Sequence, residues 1–200
     1  MSTDARRLSP SDRALAEALL REAPFAYIAM VEEAPPPDDS PGHSAPVSPP
    51  VAARPYAVPM NFAYGPAADT AAAPCAPREG AGEDSPGLGR LYLHTGEGRK
   101  SEALARNPRV CATIAADAAF DQGPDPCNDG FSFRSVLVEG RATLLEDRGR
   151  QEQALRAIVA KYDPGAVDTP FTEDALAETL VYAVSIEALS YKARPRRSAQ

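Results

Sequence analysis

The chain has 200 residues, 28 of them acidic and 21 basic, for a formal net charge of −7. That length supports one domain with a real core and is too short for two ordinary ones; the acidic balance argues against a nucleic-acid binder, and no apolar run approaches the roughly 18–20 residues of a membrane-spanning helix. The amino terminus MSTDARRLSP lacks the apolar stretch of a signal peptide, and Cys75, Cys111 and Cys127 are scattered and odd in number, so neither a disulfide framework nor a zinc spacing is present and a reducing, cytoplasmic setting is expected.

The first element is a helix. Ser9 can cap it, Pro10 suits its first position, Asp12 completes a Ser-x-x-Asp box, and Leu15, Ala18 and Leu19 recur at helical spacing. Pro24 ends it, and Phe25–Val31 reads as a short buried strand. From about 32 to 54 the chain turns to proline, serine and acids with little to bury, an exposed insertion. Tyr56–Tyr64 (YAVPMNFAY) is the next strand, and Pro59 inside it demands an edge, a bulge or a ligand, because proline cannot donate to a ladder. A second proline- and alanine-rich insertion spans about 65–89.

Arg90–Thr95 (RLYLHT) reads as a strand with Leu91 and Leu93 on one face. GEGRK then turns the chain into a helix, Lys100–Arg106, that stops at Asn107-Pro108. Arg109–Ala115 is a strand, Ala116–Gly130 a polar loop, and Phe131–Leu145 a long strand with a bulge or bend at Gly140. Glu152–Tyr162 is an amphipathic helix, Thr172 can cap a short last helix, and Leu180–Tyr191 is the final strand. The alternation of a doubly wound sheet is absent. Six strands with short connections suggest a mainly β barrel or sandwich with peripheral helices.

The sharpest chemical signal is His94-Thr95-Gly96-Glu97-Gly98-Arg99-Lys100-Ser101. A strand ends, two glycines permit a tight turn, and a helix opens with two cations, so backbone N–H groups and Arg99 and Lys100 could together receive a phosphate. The spacing is neither a Walker A loop nor a dinucleotide fingerprint. The competing reading is a turn with solvated cations. Val58-Pro59-Met60-Asn61 could present backbone groups to a flat ring, or could be a bulged barrel strand. His94 and Tyr92 are the candidates for proton transfer, and two histidines, one of them His43 in the first insertion, make no multi-histidine metal site. Cys111 reads as a small buried residue, Arg134, Glu139 and Arg141 as a cross-strand ion-pair ladder, and the pairs Glu32-Glu33 and Glu173-Asp174 as solvated or capping charge.

Taken in order, PYAVPMNFAY (Pro55–Tyr64), GRLYLHTGEGRKSEALARNPRVC (Gly89–Cys111), FRSVLVEGRATLLED (Phe133–Asp147) and ALRAIVAKY (Ala154–Tyr162) resemble the FMN-binding split-barrel superfamily of pyridoxamine 5′-phosphate oxidase-like proteins. The likeness is nearest to the branch that includes nitroimidazole-resistance proteins and runs from about Leu8 to Lys192. It implies a six-stranded split β-barrel, mainly β with peripheral α, acting as a homodimer with FMN in the groove between subunits. By resemblance, Val58, Pro59, Met60 and Asn61 lie along the flavin ring, His94 and Thr95 at the ring-to-ribityl side, and Arg99 and Lys100 at the phosphate. Ser135 faces the flavin from the partner's long strand. The chain departs from pyridoxamine-phosphate oxidases in having Ser135 where they carry Gln, and in having no Trp for their carboxy-terminal substrate grip. The implied activity is that of an oxidoreductase fed by NAD(P)H or a reductase and acting on a small planar substrate such as a nitroaromatic or quinone. The alternatives are a haem or F420 split barrel, with His94 as the axial ligand for haem, a flavin-binding module without turnover, and a β-barrel with no ligand.

Overall fold

The computed structural model describes residues 8–32, 53–65 and 87–196. Most of both insertions falls outside them, together with His43 and Cys75. Helix α1 (Pro10–Glu22) starts as its sequence dictates, with Ser9 Oγ accepting the Asp12 N–H at 3.1 Å and Pro10 where a missing N–H costs nothing. Its buried stripe is Ala16, Leu19 and Leu20, whereas Leu15 lies off that stripe and is 44% exposed, contrary to expectation.

Seven antiparallel strands form one sheet: β1 (Ala26–Glu32), β2 (Arg54–Met60), β3 (Ala63–Gly65), β4 (Arg90–Thr95), β5 (Arg109–Asp121), β6 (Gly130–Leu144) and β7 (Leu180–Arg194). Their spatial order is β2-β1-β5-β6-β7-β4-β3. The stretch expected as one strand, Tyr56–Tyr64, is therefore two. Pro59 stays in β2, an edge strand that needs no donor on its open side. The chain then leaves through Asn61-Phe62 and enters β3 at the opposite edge. Only two residues join the two edges, so the sheet must curl until its edges approach without pairing. The result is an open, split barrel of seven strands rather than six.

A second correction concerns Ala116–Gly130, which is not wholly a loop. β5 continues to Asp121 against β6, after a bulge between Ala116 and Ala119 where Asp117 has a φ of 57°. Aspartate tolerates this left-handed conformation better than most residues, and the bulge breaks the alternation by which a strand is read. The expected irregularity at Gly140 is present: Glu139 pairs with Ala188 but Gly140 with Ile186, leaving Glu187 bulged. A Cβ on Gly140 would stand 2.3 Å from the Ser185 carbonyl oxygen, so this crossing requires glycine.

The barrel is filled by Ile28, Leu91, Leu93, Ile114, Val136, Val138 and Val184, with Phe62 and the α1 leucines packed on them. Helix α2 (Arg99–Arg106) follows β4. Helix α3 (Arg148–Tyr162) starts before the expected Glu152 because Asp147 caps it, accepting the Arg150 N–H at 2.9 Å. With α4 (Glu173–Ala177), capped by Thr172, it builds a second cluster of Ala154, Leu155, Leu176 and Val181 against Tyr92. Glu32 pairs with Arg54 and Gly65 with Arg90, so each insertion leaves and returns at the closed end of a hairpin. No helix among the described residues is long and apolar enough to cross a membrane.

Alternation in the barrel strands leaves their other face outside. One register row across it is Pro59, Tyr27, Thr113, Leu137 and Ser190, running over β2, β1, β5, β6 and β7. The neighbouring row is Ala57, Ala29, Cys111, Glu139 and Ala188. Tyr27 is 51% and Leu137 38% exposed, and Glu139 is the only charged side chain in either row.

Candidate functional site

The site grows out of the β4–α2 turn. Along β4, Leu91, Leu93 and Thr95 point into the core while Tyr92 and His94 are half-buried on the other side. Gly98, with a φ of 135°, starts α2 in a conformation that side-chain-bearing residues avoid. The buried hydroxyl of Ser101 closes the turn: it accepts the Gly98 N–H at 3.0 Å and donates to the Gly98 carbonyl at 2.8 Å. Lys100 is half-buried on the first turn of α2 and has no hydrogen-bond or ion-pair partner among the described residues. Burial, and secondarily the nearby Lys100 charge, hold His94 below its ordinary range, so its imidazole is neutral at neutral pH.

Arg99 behaves differently from the free cation expected. Its Nε and Nη2 form a fork on the Glu32 carboxylate at the end of β1, with Nη2 at 2.8 Å from Oε2, and its guanidinium lies 4.0 Å over the Tyr56 ring of β2. The Arg99 guanidinium holds Glu32 below the usual carboxylate range, so this pair is fully ionised at neutral pH. Glu32, read from the sequence as solvated charge, is thus part of the site, as is Tyr56. Sixty-seven positions separate Glu32 from Arg99, and no local pattern announces the contact.

The remaining expected residues divide. Val58 is half-buried, Met60 is buried, and Pro59 and Asn61 are exposed, so this stretch alternates between barrel interior and outer face. It continues the strand that carries Tyr56. Its far end is anchored by α3: the Phe62 N–H donates to Tyr162 Oη at 2.9 Å, and Tyr162 donates to the Pro24 carbonyl at 2.6 Å. The neighbouring Lys161 places Nζ 3.5 Å over the Phe62 ring and donates to the Leu20 carbonyl at 3.2 Å, while burial pushes its pKa down to about 8. Sequence reasoning missed both α3 residues, although Tyr162 ends the ALRAIVAKY segment.

Ser135 does not join the others within one chain. It pairs in register with Lys192, whereas His94 pairs with Val181 on the same strand. Those positions are eleven residues apart along β7, roughly 35 Å of strand. Cys111 is half-buried on the outer face, not in the core, and burial pushes its thiol up. The expected cross-strand ion pairs form from Arg141 to Glu187 on β7, at 3.9 Å, and from Arg134 to Asp117 on β5, but among the described residues Glu139 is in none of them. A cleft of about 680 Å³ opens elsewhere, outside β4, β6 and β7 beside the first turn of α3, with Arg90, Tyr92, Thr143, Gln153 and Ser185 in its walls. Of the sequence-predicted residues it takes in Tyr92 alone, and none of those expected at the flavin. Among the described residues no cluster of three or more His, Cys, Asp and Glu side chains could hold a metal ion.

A glycine-started turn into α2 that Ser101 closes, a neutral histidine on the strand before it and a curled sheet that fails to close define a split barrel. The sequence matches the pyridoxamine 5′-phosphate oxidase family over residues 12–193, and the chain belongs to that family. No curated protein matches it. Among solved structures it is similar to a candidate 5-nitroimidazole antibiotic resistance protein from Bacteroides thetaiotaomicron, with 21% identity, a TM-score of 0.59, and 89% of this chain and 81% of that one covered. It is also similar to the flavocytochrome Anf3 from Azotobacter vinelandii (22% identity, TM-score 0.62, 94% and 69% covered). A third is the FAD and heme binding protein from Mycobacterium smegmatis (20%, 0.62, 98% and 77%). At these identities the likeness is one of fold.

Proposed function

We propose that this chain binds FMN between two copies of itself and transfers electrons to a small planar acceptor of the nitroaromatic or quinone class. The observation that carries the reading is Lys100, half-buried without a partner among the described residues at the helix start, beside neutral His94. The α2 N–H groups and Lys100 suit the flavin's phosphate by charge and by donor count. Pro59 on β2 and Asn61 just after its end, both exposed, offer backbone against which a flat ring can lie. A bound flavin supplies hydride and single-electron chemistry, and the protein's share is binding, orientation and access. Neutral His94 can donate or accept one hydrogen bond there.

The homodimer rests on the outer rows through Tyr27 and Leu137, a nearly uncharged sheet face of the kind that proteins cover. It also rests on Ser135, which can join His94 only from another copy. Fold relatives that are a flavocytochrome and an FAD and heme binding protein support a flavin reading. They also sustain a second one, haem on His94, since neutral imidazole is the form that ligates iron.

The test is to load the protein with FMN, reduce it with NAD(P)H plus a reductase or with dithionite, and add a nitroaromatic or a quinone. The expected result is reoxidation faster than that of free reduced FMN at the same concentration. A bound flavin that no acceptor reoxidises would leave a carrier or storage module instead of an enzyme.

A further inference from the structure

An arginine offered to a phosphate would ordinarily be free to reach it. Here Arg99 already has two of its donor nitrogens, Nε and Nη2, on Glu32, and its plane rests on Tyr56. That leaves the two Nη1 N–H groups and one on Nη2 without a hydrogen-bond partner among the described residues. The two anchors come from β1 and β2, on the other side of the barrel's split from β4 and α2. Glu32 side-chain exposure is 23%, so its carboxylate is reachable but not fully solvated.

We propose that Glu32 is a specificity residue of the phosphate end of the site, an internal anion that competes with the flavin phosphate for Arg99. The inference rests on the FMN reading above. Two unlike contributions follow from the geometry. A phosphate that recruits Arg99 must draw it off a bidentate carboxylate, and it must then sit near the carboxylate it displaced, with like charges opposed. Both lower the affinity for a phosphorylated flavin, and neither acts on riboflavin, which has no phosphate. Lys100, without a partner among the described residues, carries the attraction that remains. Glu32 thereby narrows the preference for FMN over riboflavin and keeps binding reversible.

The experiment is a pair of fluorescence titrations, with FMN and with riboflavin, on wild type, Glu32→Gln, Arg99→Ala and the double variant. Glu32→Gln is expected to bind FMN more tightly by up to about fivefold, the ceiling for releasing an exposed ion pair, and to leave riboflavin unchanged. The gain should vanish when Arg99 is alanine. The proposal is overturned if wild type prefers FMN yet Glu32→Gln leaves FMN affinity unchanged, or weakens both flavins together, which would make the pair a structural clamp. Wild type that binds FMN and riboflavin equally would overturn the phosphate assignment itself, and wild type that binds neither would overturn the flavin reading and this inference with it. Glu32→Ala, run in parallel, guards against an effect peculiar to the amide.

Discussion

Lys100 and Arg99 are adjacent in sequence and unlike in surroundings, one without a partner among the described residues and one forked on Glu32. Lys100→Ala is expected to weaken FMN binding about tenfold, the loss of one charge-assisted bond, and to spare riboflavin; equal losses for both flavins would place the phosphate elsewhere. His94 makes a second expectation. Its folded pKa lies below 6.5 because burial, then Lys100, disfavours the imidazolium. The unfolded chain therefore takes up the proton first on acidification. Above about pH 6.5 His94 leaves stability unaffected, and below it stability falls until the folded pKa is passed. Thermal melts of His94→Gln should lose less stability than wild type between about pH 6.5 and 5.5; parallel curves would contradict the burial of the ring. His94, Arg99 and Lys100 were legible because their chemistry is local to one turn. Glu32 and Tyr56 were not, because only the folding of β1 and β2 brings them to that turn.

At the scale of elements, the two-residue link Asn61-Phe62 is the joint on which the barrel curls. Tyr162 satisfies the Phe62 N–H, so Tyr162→Phe should cost about 1–2 kcal/mol in chemical denaturation by leaving that donor without its partner. An unchanged midpoint would mean that water replaces the hydroxyl. Gly140→Ala places a methyl against the Ser185 carbonyl and should cost about 1–3 kcal/mol through forced backbone movement. The bulge at Gly140 could be read, since glycine inside an apolar strand has few other uses. The break after Met60 could not: YAVPMNFAY is apolar but for Asn61, which a strand can carry, and the pairing of its halves with different partners is what divides it. The bulge at Asp117 hid the outer part of β5 in the same way.

On the scale of the whole molecule, the nearly uncharged rows across β2, β1, β5, β6 and β7 face outward, and Ser135 lies some eleven residues of strand from the His94 level. A site that uses both needs two chains. Leu137→Glu, on the outer face and remote from the core, should leave a folded monomer and abolish flavin binding with dimerisation; a variant that is monomeric by light scattering yet still binds FMN would refute the shared groove. The fold class could be read from strand order and turn motifs, whereas the proposed division of the site between copies came from the family resemblance alone, because one chain's sequence does not display its register against another.

The most direct measurement is the visible absorption spectrum of the purified protein after incubation with FMN and desalting. A flavin spectrum retained with the protein is the expected result, lost in Lys100→Ala at the same loading. A colourless eluate, or a Soret band taken up from added haem in its place, would contradict flavin binding at the β4–α2 turn.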